Sequence, residues 1–186
     1  MKILALCGSL RAGSLNASAL RSAAELCDRD PSWEFTLEPA LSRLPYFEAD
    51  VEQHDLPEVV AGLRARLGAA DGLLISTPEY AHGTSGVLKN ALEWLVGGGE
   101  MAGKPVALMS ASPAATGGNR AQAWVAETLT VMDARVLPDG LLIPQATRKI
   151  ADGRITDPAT LEELRGLLIR LAETGAARTG FRTLAA

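Results

Sequence analysis

Short apolar runs alternate with amphipathic segments along the 186-residue chain. Five runs predict strands, at 2–7, 33–39, 71–77, 104–112 and 134–144, the last of them broken by Pro138, Asp139 and Gly140. Five segments with apolar residues at helical spacing predict helices, at 14–27, 57–70, 85–96, 119–132 and 157–175. Strands that alternate with helices in this way predict an α/β fold, in which a parallel sheet is covered by helices on both faces.

The chain shows no internal repeat and no change of composition that marks a second domain. We therefore predict one domain over 1–175, with a loop at 40–56 between the second strand and the second helix. Gly175 is predicted to stop the last helix. The remaining residues, 176–186, are predicted to form a loosely ordered C-terminal tail.

The charge pattern limits the kinds of partner. The net charge is −4 and the isoelectric point is about 5.3, with Lys and Arg scattered along the chain, which argues against nucleic acid and against an anionic membrane. The apolar runs are shorter than the roughly 20 residues that a membrane span needs. Because the first strand begins at Lys2 without a leader, we expect a cytoplasmic protein. Cys7 and Cys27 are expected to be small buried thiols.

Three polar, glycine-containing loops follow the first, third and fourth predicted strands. The carboxyl ends of parallel strands lie at one edge of a sheet, and open α/β sheets bind their ligands there. We therefore expect the three loops to meet and to form one site.

The loop after the first strand reads "GSLRAGSLN", at 8–16. Its two glycines permit tight turns and close backbone approach. A helix begins at its end, where free N–H groups and the positive end of the helix dipole attract anions. Its polar side chains are those of Ser9, Arg11, Ser14 and Asn16. The loop predicts a phosphate site at a helix N-terminus. The alternative is that Ser14 only caps the helix and Arg11 is a solvated surface charge.

The type of phosphate ligand is narrowed by what the motifs lack. Ser14 and Leu15 stand where an ATP-binding loop has Lys and Ser or Thr. The Gly-x-Gly-x-x-Gly pattern of dinucleotide sites is missing, and the second strand does not end in a clear acidic residue. A monophosphate remains, for which flavin mononucleotide (FMN) is the natural candidate, although the spacing alone does not decide it.

The loop after the third strand, "TPEYAHGTSG", places Tyr80 beside this edge. Tyr80 is suited to lie against a planar ring, with packing under its own loop as the alternative. His82 has two interpretations as well, as a contact to the ligand or a nicotinamide and as a solvent-facing loop residue.

Two motifs in this order, "GSLRAGSLN" and "TPEYAHGTSGVLKNALEWL", resemble those of the NADPH-dependent FMN reductase family, which includes bacterial chromate and quinone reductases. Further likenesses are "LPYFEADV", "GKPVALMSAS" and "GGNRAQ", so that the resemblance covers 2–175. It implies a flavodoxin-like three-layer sandwich with a five-stranded parallel sheet in the order 2-1-3-4-5. It also implies one non-covalent FMN per chain and a homodimer or homotetramer.

The resemblance assigns cofactor-binding roles by position. Around the phosphate these are Ser9, Arg11, Ser14, Leu15 and Asn16; along the flavin ring they are Pro78, Glu79, Tyr80 and Ala81; from the fourth-strand loop they are Ser110, Ala111, Gly117 and Gly118. The chain departs from the family pattern at Ala81, where many members have Asn, and at Ser85, where Pro is frequent.

The implied function is electron transfer from NAD(P)H through FMN to quinones, azo compounds, metal oxyanions such as chromate, or free flavin. No catalytic acid or base and no metal is assigned, because hydride transfer to a flavin needs neither. The alternatives are a flavodoxin-type electron carrier and a flavin-binding module. The mildly acidic charge and the small number of aromatic residues favour the enzyme. The sequence leaves open whether NADH or NADPH is the donor.

Overall fold

A computed structural model describes residues 1–39 and 41–184, with side chains up to residue 176. The strands are β1 (Lys2–Cys7), β2 (Glu34–Leu37), β3 (Gly72–Ser76), β4 (Pro105–Ala111), β5 (Arg135–Val136), β6 (Leu141–Ile143), β7 (Ile150–Ala151) and β8 (Arg154–Ile155). The helices are α1 (Leu15–Cys27), α2 (Ala49–His54), α3 (Glu58–Ala69), α4 (Gly86–Val96), α5 (Asn119–Val131) and α6 (Pro158–Leu184).

The main sheet is parallel, in the order β2-β1-β3-β4-β5, and β6 also pairs with β4. This confirms the predicted flavodoxin-like strand order. The strand ends lie level with one another, since Cys7 pairs with Ser76 and Ser76 pairs with Met109. The loops that follow β1, β3 and β4 therefore leave the sheet at the same edge.

Helices cover both faces of the sheet, as the apolar strands predicted. Period-2 alternation along β1 sends Ile3 and Ala5 to one face and Leu4 and Leu6 to the other. The first face packs against α1 and α6, and the second packs against α3, α4 and α5. β3 and β4 are buried along their whole length, which explains why their sequences are almost continuously apolar.

Two connecting regions differ from the prediction. The segment 40–56, apart from residue 40, which lies outside the described residues, contains a 3-10 helix at Leu41–Arg43 and α2. The last strand region is divided into β5 and β6 at Pro138 and Gly140, which confirms the predicted break. The short antiparallel pair of β7 and β8 was not predicted, because two-residue strands carry too little periodicity to be recognised.

The predicted end of the last helix at Gly175 is wrong, because α6 continues to Leu184. A glycine inside a helix costs about 1 kcal/mol relative to alanine and does not by itself end the helix. Gly175 is buried, and a Cβ built on it lies 3.0 Å from the Cε of Met1, so the small residue permits close packing. The division into a domain at 1–175 and a tail at 176–186 stays a prediction, and residues 185 and 186 lie outside the described residues.

None of the helices in the described ranges is both long and apolar enough to cross a membrane.

Candidate active site

The loop after β1 lies directly against the loop after β3. The Gly8 N–H donates to the Ser76 carbonyl at 2.9 Å. A Cβ built on Gly8 lies 2.8 Å from the Cδ of Pro78, closer than real side chains approach. Gly8 is therefore required for the contact between the two loops, which confirms the close backbone approach predicted for this glycine.

The N-terminus of α1 points its free N–H groups into this loop. The Ser14 hydroxyl accepts the Ala17 N–H at 3.1 Å, and the Ser14 carbonyl accepts the Ser18 N–H at 3.0 Å. The capping interpretation of Ser14 is thus confirmed. The N–H groups of Leu15 and Asn16 precede the first intrahelical bond and so have no intrahelical partner. They are available to an anion at the positive end of the helix dipole.

Asn16 has a buried side chain that joins the start of α1 to the ends of β3 and β4. Its Nδ2 donates to the Ala111 carbonyl at 3.1 Å, and its Oδ1 accepts the Ala111 N–H at 3.0 Å. The Ser76 hydroxyl donates to the same Oδ1 at 2.9 Å. The sequence predicted that this amide contacts a phosphate, whereas the structure engages it within the protein and leaves the backbone N–H of Asn16 for a ligand.

Both cysteines are free thiols; the expected burial is found for Cys27, whereas Cys7 is half-buried. Cys7 ends β1, and its Sγ donates to the Ser9 carbonyl at 3.4 Å, while burial raises the pKa of this thiol. Cys27 is buried in α1, and burial, with a smaller effect of the nearby Asp28, raises its pKa to about 12. Both side chains are therefore neutral at pH 7.

The loop after β3 is closed at its base and ends in a tight turn. The hydroxyls of Thr77 and Thr84 lie 2.6 Å apart and share a hydrogen bond. Tyr80 and Gly83 exchange two backbone hydrogen bonds of 2.9 Å. Between them, Ala81 has φ 49° and His82 has φ 65°. Positive φ at both central positions is the geometry of a type I′ turn, which Asn and Gly adopt more easily than Ala and His.

Glu79 directs its carboxylate to the N-terminus of α5. Its Oε2 accepts the Arg120 N–H at 3.1 Å and the Ala121 N–H at 3.3 Å. The residue that precedes this helix, Gly118, has no side chain to cap it, so Glu79 performs the capping from a neighbouring loop. Only the backbone of Glu79 is left to face a ligand at the sheet edge.

His82 lies outside this edge. Its side chain is 72% exposed and contacts the Arg120 guanidinium, with its Nδ1 3.7 Å from Oε1 of Glu79. The structure thus agrees with the solvent-facing interpretation of His82. Tyr80, in contrast, does not pack under its own loop, because it is 54% exposed and lines an open cleft.

The loop after β4 is fixed from inside the protein by Ser110. This buried hydroxyl donates to the Gly117 carbonyl at 2.5 Å and accepts from Nε2 of Gln122 at 3.2 Å. Gly117 and Gly118 have φ values of 65° and 89°, a conformation that favours glycine. A Cβ built on Gly118 lies 2.9 Å from the Ser110 hydroxyl and 3.8 Å from the Cβ of Glu79, so this loop lies against the loop after β3.

A cleft of about 550 Å³ opens beside these loops, towards α4. The residues that line it are Gly8, Leu10, Arg11, Leu41, Ser42, Leu44, Tyr46, Tyr80, Ser85, Gly86, Val87 and Asn90. The sequence reasoning found Tyr80 and Arg11 here but missed Tyr46, which follows β2 rather than one of the three site loops. The motif "LPYFEADV" contains this tyrosine and was the available signal.

The residues at this edge fit a flavin mononucleotide. The start of α1 offers unpaired N–H donors, and the guanidinium of Arg11 is exposed on the same loop. A Cβ built on Gly13 meets nothing within 4 Å, so the loop is open at that point. No group of three or more His, Cys, Asp or Glu side chains suited to a metal ion occurs among the described residues. The site therefore offers binding groups for a phosphate and a flat ring.

Comparisons with known proteins agree with this geometry. The model of the NADPH-dependent FMN reductase family matches residues 1–148. A quinone reductase of Escherichia coli (strain K12) is 32% identical, over 93% of this chain and 94% of the relative. An NAD(P)H-dependent FMN reductase of Pseudomonas aeruginosa is 36% identical, over 87% and 88%.

Among solved structures, the flavoenzyme NAD(P)H:(acceptor) oxidoreductase FerB of Paracoccus denitrificans superposes with a TM-score of 0.83 at 30% identity, over 95% of this chain and 97% of that chain. Fold, sequence motifs and the arrangement of the loops thus lead to one family. The chain belongs to the NADPH-dependent FMN reductase family, and it is an oxidoreductase with FMN as cofactor and NAD(P)H as co-substrate.

Proposed function

We propose that this enzyme transfers electrons from NAD(P)H to quinones. The observation that carries the proposal is the meeting of three loops at one sheet edge, joined by the Asn16 amide and by the contact of Gly8 with Pro78. The names of the relatives, quinone reductase and NAD(P)H-dependent FMN reductase, support this class of acceptor.

Binding of the cofactor phosphate is assigned to the loop after β1. The N–H groups of Leu15 and Asn16 are its donors, and Arg11 supplies a positive charge whose fork geometry suits phosphate oxygens. Ser9 lies on the same loop, and Ser14 maintains the helix start by capping. These assignments remain proposals derived from the family resemblance and from the free donors at this helix.

Binding of the flavin ring is assigned to the two other loops. The backbone at 78–81 would line one side of the ring, and Ser110, Ala111, Gly117 and Gly118 would close the other side. FMN supplies the redox chemistry when it is bound, because its ring accepts a hydride from a nicotinamide and passes electrons to an acceptor. The chain itself binds and orients the reactants, and its backbone N–H groups stabilise negative charge beside the ring.

The decisive experiment is NAD(P)H oxidation by the purified holoprotein with a quinone as acceptor. We expect turnover well above that of an equal concentration of free FMN, with ping-pong kinetics. Turnover equal to that of free FMN would support the flavodoxin-type carrier instead. A colourless protein that takes up no added FMN would contradict both.

Further acceptors and the assembly state are part of the same proposal. Azo compounds, chromate and free flavin are proposed as additional acceptors, to be compared with the quinone under identical conditions with NADH and with NADPH.

A homodimer or homotetramer is proposed from the resemblance, and light scattering after gel filtration measures its mass. A cytoplasmic location is proposed as well, since the two free thiols suit a reducing compartment.

A further inference from the structure

The cleft beside α4 is bordered by an unusual group of exposed apolar residues. Tyr46 is 91% exposed, Leu10 is 58% exposed and Tyr80 is 54% exposed, and all three line the cleft. Single exposed apolar side chains are common on protein surfaces, but a group around one concave site marks a place where a ligand or partner binds.

The backbone on both sides of Tyr46 is held firmly from α4. The Asn90 side chain donates from Nδ2 to the Pro45 carbonyl and accepts the Phe47 N–H at Oδ1, both at 2.8 Å. The indole N–H of the buried Trp94 donates to the same Pro45 carbonyl at 2.8 Å. The Phe47 ring packs edge-on against Trp94 with centroids 5.1 Å apart. Tyr46 is therefore displayed to solvent on a rigid segment, so that binding orders little additional backbone.

The cleft is continuous with the site proposed for the flavin ring. Tyr80 belongs both to the 78–81 loop and to the cleft wall. A Cβ built on Gly86 meets nothing within 4 Å, so the wall at the start of α4 is open. Two aromatic side chains on such a cleft suit a flat aromatic molecule, because offset and edge-on ring contacts contribute beyond the burial of apolar area.

We propose that Tyr46 determines specificity for bicyclic quinones, by contacting the fused aromatic ring that extends beyond the flavin into this cleft. Tyr80 forms the second aromatic contact, and Asn90 is a positioning residue that acts through Tyr46. The proposal rests on the proposed quinone reductase function and adds the size class of the substrate to it. A monocyclic quinone lacks this second ring, and we therefore expect it to react without the help of Tyr46.

The test compares a bicyclic and a monocyclic acceptor on the holoenzyme. For Tyr46→Ala we expect the KM for 2-methyl-1,4-naphthoquinone to rise about three- to tenfold, the range of an aromatic contact. The KM for 1,4-benzoquinone, the kcat and the rate of flavin reduction by NAD(P)H should remain unchanged. Tyr46→Phe keeps the ring and should keep the low KM. Val131→Ala, at an 86% exposed position at the end of α5, is the matched surface control.

Equal effects on both quinones, or an unchanged KM for the naphthoquinone, would overturn the proposal. These results differ from a failure of the proposed function, in which the wild-type holoenzyme reduces neither quinone. Because Tyr46 is exposed, its substitution removes no core contact, and circular dichroism verifies the fold of each variant.

A double-mutant cycle tests the positioning role of Asn90. Asn90→Ala should raise the naphthoquinone KM in the wild-type background and have no further effect in the Tyr46→Ala background. Additive effects would show that Asn90 acts independently of Tyr46.

Light scattering on wild type and Tyr46→Ala tests whether a second copy of the chain, rather than an acceptor, occupies the cleft. Equal masses support the acceptor site. A lower mass of the variant would identify the cleft as a subunit contact and overturn the proposal.

Discussion

The side-chain amide of Asn16 pairs with the backbone of Ala111 through two hydrogen bonds, of 3.1 Å from Nδ2 to the carbonyl and of 3.0 Å from the Ala111 N–H to Oδ1. Asn16 lies in the first turn of α1, and Ala111 is the last residue of β4. The pair therefore fixes the loop proposed to bind the phosphate relative to the loop that is proposed to close over the flavin ring. It shows how one buried polar side chain holds together loops that are 95 residues apart in the chain.

Replacing Asn16 by alanine should destabilise the protein and weaken FMN binding together. The change leaves the Ala111 N–H and carbonyl without these partners in a buried position, which costs about 2–3 kcal/mol in unfolding free energy. Urea denaturation of the apoprotein measures this loss, and flavin fluorescence measures the FMN affinity. Asn119→Ala, at an exposed position on α5, is the control and should change stability by less than about 0.5 kcal/mol. An Asn16→Ala protein as stable as this control would contradict the role of the amide.

Removing the charge of Arg11 should weaken FMN binding without affecting the fold. Arg11→Ala is expected to lose about 1–3 kcal/mol of binding free energy, the scale of a charge-assisted hydrogen bond. Arg11→Lys should recover part of this loss, because it keeps the charge but not the fork of donors. Arg29→Ala, at an exposed position beyond the other end of α1, should bind FMN like wild type. If Arg11→Ala also binds like wild type, Arg11 is only a solvated charge.

The turn at Ala81 should become more stable with glycine. Ala81 has φ 49°, and an L-residue in this left-handed region costs roughly 1–2 kcal/mol that glycine avoids. Ala81→Gly is therefore expected to raise the unfolding free energy of the apoprotein by about 1 kcal/mol. Ala123→Gly, at an exposed position inside α5, should have the opposite sign, because glycine is unfavourable within a helix. A destabilised Ala81→Gly protein would show that this turn is not strained.

Alanine substitutions at Gly118 and Gly99 distinguish the cost of backbone strain from the cost of steric overlap at the site. Gly118→Ala adds a Cβ at φ 89° and only 2.9 Å from the Ser110 hydroxyl, whereas Gly99→Ala adds one at φ 75° with nothing within 4 Å. Both should lose about 1–2 kcal/mol of stability from the left-handed conformation. Gly118→Ala alone should lose more, and it alone should weaken FMN binding in a fluorescence titration. Equal effects at both positions would argue against a role of the Gly118 backbone in the site.

The N-terminus of α6 should contribute a pH-dependent term to stability. Hydrogen bonds from the Thr160 hydroxyl, at 2.6 Å, and from its N–H, at 2.9 Å, lower the pKa of Asp157 below its ordinary value of 3.8. A lowered pKa in the folded state stabilises the protein above pH 3.8, and this contribution is lost as the pH falls through the folded-state pKa.

Asp157→Asn keeps a capping oxygen but cannot ionise. We therefore expect wild type to have the higher melting temperature at pH 7, and we expect the difference to shrink as the pH falls below about 4. Melting curves from pH 7 to pH 2.5 measure this trend. A difference that stays constant over the whole range would exclude the carboxylate charge as its cause.

Those features of the candidate site that depend on the residue types within one loop could be predicted from the sequence. Gly8, Arg11 and Tyr80 lie in loops whose composition marks them, and the loop positions follow from the strand pattern. The roles of Asn16 and Glu79 were not predictable, because their partners, Ala111 and the start of α5, are distant in sequence. Tyr46 was missed for the same reason, since its cleft exists only after its segment is fixed by Asn90 on α4.

The sequence by itself determined the parallel α/β architecture, because apolar periodicity is a local property that survives in any compact arrangement of the chain. It also predicted an anion-binding loop after β1. Only the tertiary structure decided that the amide of Asn16 binds Ala111, that Ala81 and His82 adopt positive φ, and that α6 continues beyond Gly175. These features depend on which atoms lie next to one another after packing, and no pattern of neighbouring residues along the chain specifies that.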